Sequence, residues 1–270
     1  MFKFKGYTMK YKIGFIGAGN MAFALAKAIK KANLVKSLIA SDVNDNRLDF
    51  VKKDLKINVT KDNQEVVDKS DIIFLAVKPQ VILQVLDGIN AKGKLVISIA
   101  AGVKLNKLES KLKNTRVVRV MPNTPCLVGE MAAGFAIGKK CKDNDIKIVE
   151  EILNCAGRAF YLKESMLDSV TGLSGSGPAF VARLIEGMVE GGVKSGLSKD
   201  VATELTLQTF LGTAKLLQES GMSTDELVKI VSSPGGTTVA GREILEKSDV
   251  KDVLIETVKK ATKRSKELGK

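Results

Sequence analysis

Two short stretches hold residue types whose spacing suits chemistry. The first is GFIGAGNMA, in which Gly17, Gly19 and Ala22 form a G-x-G-x-x-A turn. It follows the apolar run of residues 13–16 and precedes apolar residues at helical spacing, namely Met21, Leu25, Ala28 and Ile29. Strand, glycine turn and helix in that order are the context of a dinucleotide site. Gly17 permits the tight turn, Gly19 lets the backbone approach a pyrophosphate, and Ala22 lets the helix pack on the strand. The helix N-terminus then turns unpaired N–H groups and its positive dipole end toward the phosphates. The second stretch is SSPGGTT, residues 232–238. A Pro-Gly-Gly loop opening a helix leaves N–H groups that suit a carboxylate, and Ser233, Thr237 and Thr238 add hydroxyls. The plainer alternative is that a Ser or Thr here caps the helix that follows.

What is missing narrows the chemistry. The chain has no histidine, so Ser-His and zinc chemistry have little to work with. Cys126, Cys141 and Cys155 lack metal-ligand spacing and read as reduced structural thiols, with no metal expected. Without a strong acid in the Ser232 turn, ketone reduction is disfavoured. Hydride addition to an imine fits better, because a protonated C=N is already electrophilic and a hydroxyl can attend its nitrogen.

The elements that position these stretches follow from patterning. Residues 38–41 read as the second strand, and Asp42 follows about 20 residues beyond the glycines, where an acid commonly bonds the adenosine ribose. A carboxylate there repels a 2′-phosphate, which leans the expectation to NADH, although Asn44 and Arg47 lie close by and soften that. The alternative for Asp42 is a helix cap. Residues 45–55 read as helix and 59–63 as a polar connection. Residues 71–76, 94–99 and 116–121 read as buried strands, and Pro79 as the start of a helix. Residues 133–137 and 159–162, flanking a helix over 143–155, extend the sheet. Strands alternating with helices predict a doubly wound parallel sheet whose strand ends converge on one crevice.

From about Glu164 only helical periods remain: one helix after Pro178, then 199–219, 224–231, 237–247 and 250–268. Gly187, Gly191 and Gly192 interrupt the first at a cost of about 1 kcal/mol each, which implies close approach by another helix or subunit. So apolar a helical half is expected to pack against its own copy. Residues 1–9 lack a signal-peptide core and read as a frayed extension; with no bilayer-spanning run, a cytoplasmic location is expected and no membrane partner. The net charge is +13 and 44% of residues are hydrophobic, enough for a sizeable core. The lysines are mixed with acids and there is no Trp, so solvated helix faces are expected rather than nucleic-acid binding.

At this point the chain resembles the pyrroline-5-carboxylate reductase family over residues 10–268. The resemblance rests on GFIGAGNMA, FLAVKPQ (74–80), SIAAGV (98–103) and RVMPNTP (119–125), and most specifically on VTGLSGSGPAF (170–180) and VSSPGGTTVAG (231–241). It implies an NADH- or NADPH-dependent oxidoreductase reducing the cyclic imine 1-pyrroline-5-carboxylate to L-proline, the last step of proline biosynthesis. It implies an α/β fold, with a Rossmann-type domain over 1–163 and an all-α dimerisation domain over 164–270. It further implies homodimers whose active sites use both chains, and in some members a decamer of five dimers. Carried onto this chain, the resemblance places the pyrophosphate on Ile16, Gly17, Ala18, Gly19, Asn20 and Met21, and the ribose on Asp42. Asn63, Ala76, Val77, Lys78 and Pro79 would line the cofactor, with Ala100 and Ala101 near the nicotinamide. Glu164 would contact the active site, while Ser233 and the backbone of Gly236, Thr237 and Thr238 would take the substrate carboxylate. The Thr238 hydroxyl would bond the ring nitrogen and help place or supply its proton. Two positions depart from the pattern: Asp42 stands where many members carry serine, and Ile230 where some carry a polar residue. A competing oxidoreductase, the β-hydroxyacid dehydrogenase type, typically uses a lysine on a central helix, and GSGPAF supplies none here.

Overall fold

The computed structural model describes residues 10–269; the extension expected over residues 1–9 lies outside the described residues. The described chain divides into two compact units, one running to Ser176 and including residues from Lys260 on, the other spanning Gly177–Lys259.

The first unit is an eight-stranded sheet. In chain order it contains β1 (Tyr11–Ile16), α1 (Asn20–Lys31), β2 (Val35–Ser41), α2 (Asp45–Leu55), β3 (Asn58–Thr60), α3 (Asn63–Asp68), β4 (Ile72–Leu75) and α4 (Ile82–Asp87). Then follow β5 (Leu95–Ser98), α5 (Leu105–Lys111), β6 (Arg116–Met121), β7 (Met131–Ile137), α6 (Asp143–Leu153), β8 (Gly157–Tyr161) and the short α7 (Leu167–Val170). The strand order is β3-β2-β1-β4-β5-β6-β7-β8. All pairings are parallel except β6 with β7. The winding reverses between β1 and β4, the switch point at which α/β sheets bind ligands.

The strands are apolar because both sheet faces are covered. Ile13, Phe15, Ile72 and Phe74 join one core cluster, and Ile16, Ile73 and Leu75 the other. Phe15 and Phe74 stack at 4.8 Å across the β1–β4 pair. Each such fully buried side chain contributes about 1.5–3 kcal/mol.

Three local expectations are corrected. Residues 59–63 are not a plain connection: β3 pairs with the edge of β2, and α3 begins at Asn63 behind an Asp62 cap. Pro79 does not open a helix; α4 starts at Ile82, and Pro79 sits in a turn closed by the Val81 N–H on the Lys78 carbonyl. The helix expected to Cys155 ends at Leu153 and passes into a 3-10 turn.

The second unit is helical: α8 (Gly177–Lys194), α9 (Lys199–Ser220), α10 (Thr224–Ile230), α11 (Thr237–Lys247) and the start of α12 (Val250–Leu268). A Cβ on Gly192 would lie 3.1 Å from that of Ala202, so this glycine lets α9 close on α8. A Cβ on Gly187 or Gly191 would meet nothing within 4 Å beyond its own helix backbone and chain neighbours among the described residues. α8 has no buried residue, and Val181, Leu184 and Met188 are exposed along it, as are Leu205 and Leu211 on α9. That is the surface of a unit which must find apolar cover.

The end of α12 belongs to the first unit. Its Ser265 hydroxyl donates to Asp168 Oδ1 at 2.7 Å, and Thr262 stands so close to Gly172 that no Cβ would fit there. Among the described residues no helix is long and apolar enough to cross a membrane.

Candidate active site

In the first unit the ends of β1, β2, β4 and β5 meet around the glycine turn. Gly17 has φ +97°, and a Cβ on it would lie 2.7 Å from the Ala76 carbonyl oxygen. Only glycine therefore lets the β1 end pass the β4 end. Above Gly19 nothing lies within 4 Å, so the backbone is open to a pyrophosphate. Gly19 caps α1 without a side-chain bond, and the first turn, which includes Asn20 and Met21, holds no acid. Positive dipole, free N–H groups and open space coincide, and these residues fit a dinucleotide.

The turn is braced from β2 and α2. Asp42 Oδ2 accepts the Ala18 N–H at 2.7 Å, and its Oδ1 accepts the Asn44 N–H at 2.9 Å. Arg47 donates twice to the Ala18 carbonyl, from Nε at 3.0 Å and Nη2 at 2.8 Å. The guanidinium lies over the Phe50 ring at 5.0 Å. The helix cap considered for Asp42 is instead Asn44, which accepts from the Arg47 N–H. Asn63 reaches the same corner, where its Oδ1 accepts the buried Ser41 hydroxyl at 2.6 Å. Ala76 and Val77 continue β4, and Lys78 and Pro79 are exposed beyond it. At the β5 end Ala100 is buried, its N–H on Ser98 Oγ at 3.3 Å, and Ala101 is exposed.

Glu164 is committed inside this unit. Its Oε1 accepts the Leu105 N–H at 2.7 Å and Arg119 Nη1 at 3.1 Å. The Arg119 side chain is only 5% exposed, against 32% for Glu164. The pair ties β6 to the start of α5, just after the Ala100–Ala101 loop. Arg119 opens RVMPNTP but was given no role there, although a charge inside the apolar run RVVRVM signals a buried partner. Asn123 was also missed: its Oδ1 accepts the Ala132 N–H and its Nδ2 donates to the Ser174 carbonyl, linking RVMPNTP to VTGLSGSGPAF. Residues Thr171–Gly175 of the latter form a π-turn, a feature frequent at functional sites.

In the second unit the residues expected around the substrate form one turn. Gly235 has φ +68°, and the Gly236 N–H closes on the Ser233 carbonyl at 2.9 Å. A Cβ on Gly236 would lie 2.6 Å from Ser233 Oγ and 3.0 Å from the Ser233 carbonyl oxygen, so a side chain there would force the turn to shift. The cap of α11 is Gly236 itself, with no side-chain cap bond. The Ser/Thr cap weighed for this turn is thus absent, and the N–H groups of Thr237 and Thr238 have no partner among the described residues. Thr238 and Ser233 are exposed.

The thiols take no part. All three are free, and burial pushes Cys126 and Cys155 up to about 12 and Cys141 up to about 11.

Residues 164–268 match the family described as pyrroline-5-carboxylate reductase dimerisation, and residues 12–102 that described as NADP oxidoreductase coenzyme F420-dependent. The chain is 46% identical to a pyrroline-5-carboxylate reductase of Methanosarcina acetivorans, over 96% of this chain and 98% of that one. It is 40% identical to the Synechocystis enzyme of that name, over 97% and 100%. Among solved structures it is similar to a pyrroline-5-carboxylate reductase from Coxiella burnetii, with TM-score 0.91, 33% identity, and 96% and 99% of the two chains covered. It is also similar to a pyrroline carboxylate reductase from Plasmodium falciparum solved with NADP bound, with TM-score 0.84, 36% identity, and 98% and 100% covered.

Proposed function

The chain belongs to the pyrroline-5-carboxylate reductase family, and on that premise we propose how its two turns divide the reaction. The protein is an NAD(P)H-dependent oxidoreductase that reduces 1-pyrroline-5-carboxylate to L-proline, and it forms homo-oligomers through its helical region. The division into a cofactor domain (1–163) and a helical domain (164–270) is part of the proposal.

The observation that carries the residue assignment is the Ser233–Thr238 turn, which presents unpaired backbone N–H groups and exposed hydroxyls at a helix start. These hold the substrate carboxylate, with Ser233 and the backbone of Gly236, Thr237 and Thr238 as donors. The glycine turn, with Ile16 through Met21, holds the pyrophosphate; Asp42 takes the ribose. Asn63, Ala76, Val77, Lys78 and Pro79 line the cofactor, and Ala100 and Ala101 border the nicotinamide. Glu164 contacts the site through the carboxylate oxygen that Arg119 and Leu105 leave free. When bound, the reduced nicotinamide supplies the hydride that adds to the imine carbon. As the C=N pair moves onto nitrogen, the Thr238 hydroxyl holds the proton there, or relays one from water by taking up a proton as it gives its own. Most of the rate gain is positioning and electrostatics, worth several kcal/mol. Asp42 makes NADH the better cofactor, because a carboxylate that takes the ribose hydroxyls repels a 2′-phosphate.

The exposed faces of α8 and α9 support pairing through this region, and each site is then completed by the partner chain, with dimers grouping by fives in the cytoplasm. Complementation tests the sharing. A Gly19→Val chain, dead at the cofactor turn, is co-expressed with a Thr238→Ala chain. Shared sites restore activity, because one site of each mixed dimer carries neither defect. Mixed dimers no more active than the parents would overturn it. The reaction itself is tested by L-proline formed mole for mole with nicotinamide oxidised; absence of proline would refute it.

A further inference from the structure

We propose that Arg242 is a positioning residue for the substrate carboxylate, setting the preference of the Ser232 turn for an anionic imine. The inference rests on the carboxylate-binding role given to that turn above.

Arg242 lies four residues after Thr238 on α11, so the two share a helix face one turn apart. Its side chain runs back to the turn, and Nη1 donates to Ser232 Oγ at 3.1 Å. Nε stands 2.8 Å from Glu246 Oε1, close enough for an ion pair but not aligned as a hydrogen bond. Nη2 has no partner within the chain among the described residues. The guanidinium is about one-third exposed, so its charge is only partly screened. No acid lies in the turn or in the first turn of α11, and Glu246 meets Arg242 at Nε while Ser232 meets it at Nη1.

Two consequences follow. The bond to Ser232 fastens the turn to the body of α11, so the residue next to Ser233 cannot swing away. The guanidinium, although paired with Glu246 through Nε, also brings positive charge to a cradle otherwise made of partial charges, and charge-assisted contacts are about twice as strong as neutral ones. Arg242 therefore acts on binding of the anion and leaves the hydride step alone.

The test compares two substrates on the full-length enzyme: 1-pyrroline-5-carboxylate, and 1-pyrroline, which has the same C=N bond without the carboxylate. Arg242→Gln is expected to raise KM for the carboxylate-bearing imine about 10-fold, with kcat within about twofold and the kcat/KM for 1-pyrroline unmoved. Arg242→Lys, which keeps the charge without the fork, should recover part of the loss. A fall in kcat alone, an equal loss on both substrates, or no change in KM would overturn the proposal. Thermal melts of both variants separate a folding defect from these outcomes, and Arg242→Lys carries the test if Arg242→Gln folds poorly. A wild-type protein that reduces neither imine would refute the reading of the turn itself, a distinct result.

Discussion

Asp42, at the end of β2, holds the Ala18 N–H of the glycine turn at 2.7 Å, across 24 residues of chain. Arg47 grips the carbonyl of the same residue, so Ala18 is clamped at both its amide and its carbonyl. The acid placed by its distance from the glycines is thus also a brace for the glycine turn. In the proposed reading, cofactor choice and cofactor affinity are tied to one side chain.

Asp42→Ser should therefore do two things. Removing the carboxylate lifts its repulsion of a 2′-phosphate, and the NADPH to NADH ratio of kcat/KM should rise about 10-fold, a 1.4 kcal/mol change. Loss of the brace should raise KM for NADH. Steady-state assays with both cofactors check this; an unmoved ratio removes Asp42 from cofactor selection.

Arg47→Ala leaves the charge of Asp42 in place but frees the Ala18 carbonyl. Both cofactors should bind about 5- to 20-fold more weakly, on the scale of a lost charge-assisted bond. Nicotinamide fluorescence titration reads it directly. A loss confined to NADPH would instead make Arg47 a 2′-phosphate ligand.

Thr238→Ala should lower kcat about 10- to 100-fold, the scale of one general-acid contribution, while Thr238→Ser keeps most of it. Unchanged turnover in Thr238→Ala would take the hydroxyl out of the proton step.

Glu164→Ala leaves the buried Arg119 guanidinium without its carboxylate. Because Glu164 is about one-third exposed, the cost is expected below that of a fully buried pair, about 1–3 kcal/mol. Glu164→Gln, which still accepts the Leu105 N–H, should lose less. Urea denaturation of the two variants tests the order; equal stability would show that the pair holds nothing in place.

The thiols set an alkaline limit. Burial raises Cys126, Cys141 and Cys155 from 9.0 to about 12, 11 and 12, so the folded state keeps them neutral where the unfolded chain ionises them. Their contribution is complete below the unfolded value and is lost as pH rises through the folded ones. Burial, reinforced by Glu151, raises the Tyr11 hydroxyl in the same sense. Tm should fall from pH about 9 upward, and Cys126→Ala should shallow that fall. A Tm flat across this range would contradict it.

Much of this was legible in the sequence, and particular residues show why the rest was not. α2, α11 and α12 have the bounds that the helical spacing of their apolar residues predicted. The four buried strands at the switch point were visible as apolar runs. β3 was missed because a three-residue edge strand, NVT, has no periodicity to detect and exists only by pairing with β2. Pro79 suits a helix start by its fixed φ, but the chain needs one more turn before α4. In the site, the glycines and the Ser232 turn are local patterns and could be read. Arg47, Arg119 and Arg242 work through Ala18, Glu164 and Ser232, which lie 29, 45 and 10 residues away. Such pairings are decided by folding, and no spacing rule names them.

The central claim is most directly tested by nicotinamide absorbance, with purified protein and racemic 1-pyrroline-5-carboxylate in parallel reactions with NADH and NADPH. The account predicts imine-dependent oxidation of the cofactor, with NADH the faster. No oxidation of either, while the protein still binds cofactor, would contradict it and leave a dinucleotide fold whose second turn serves another substrate.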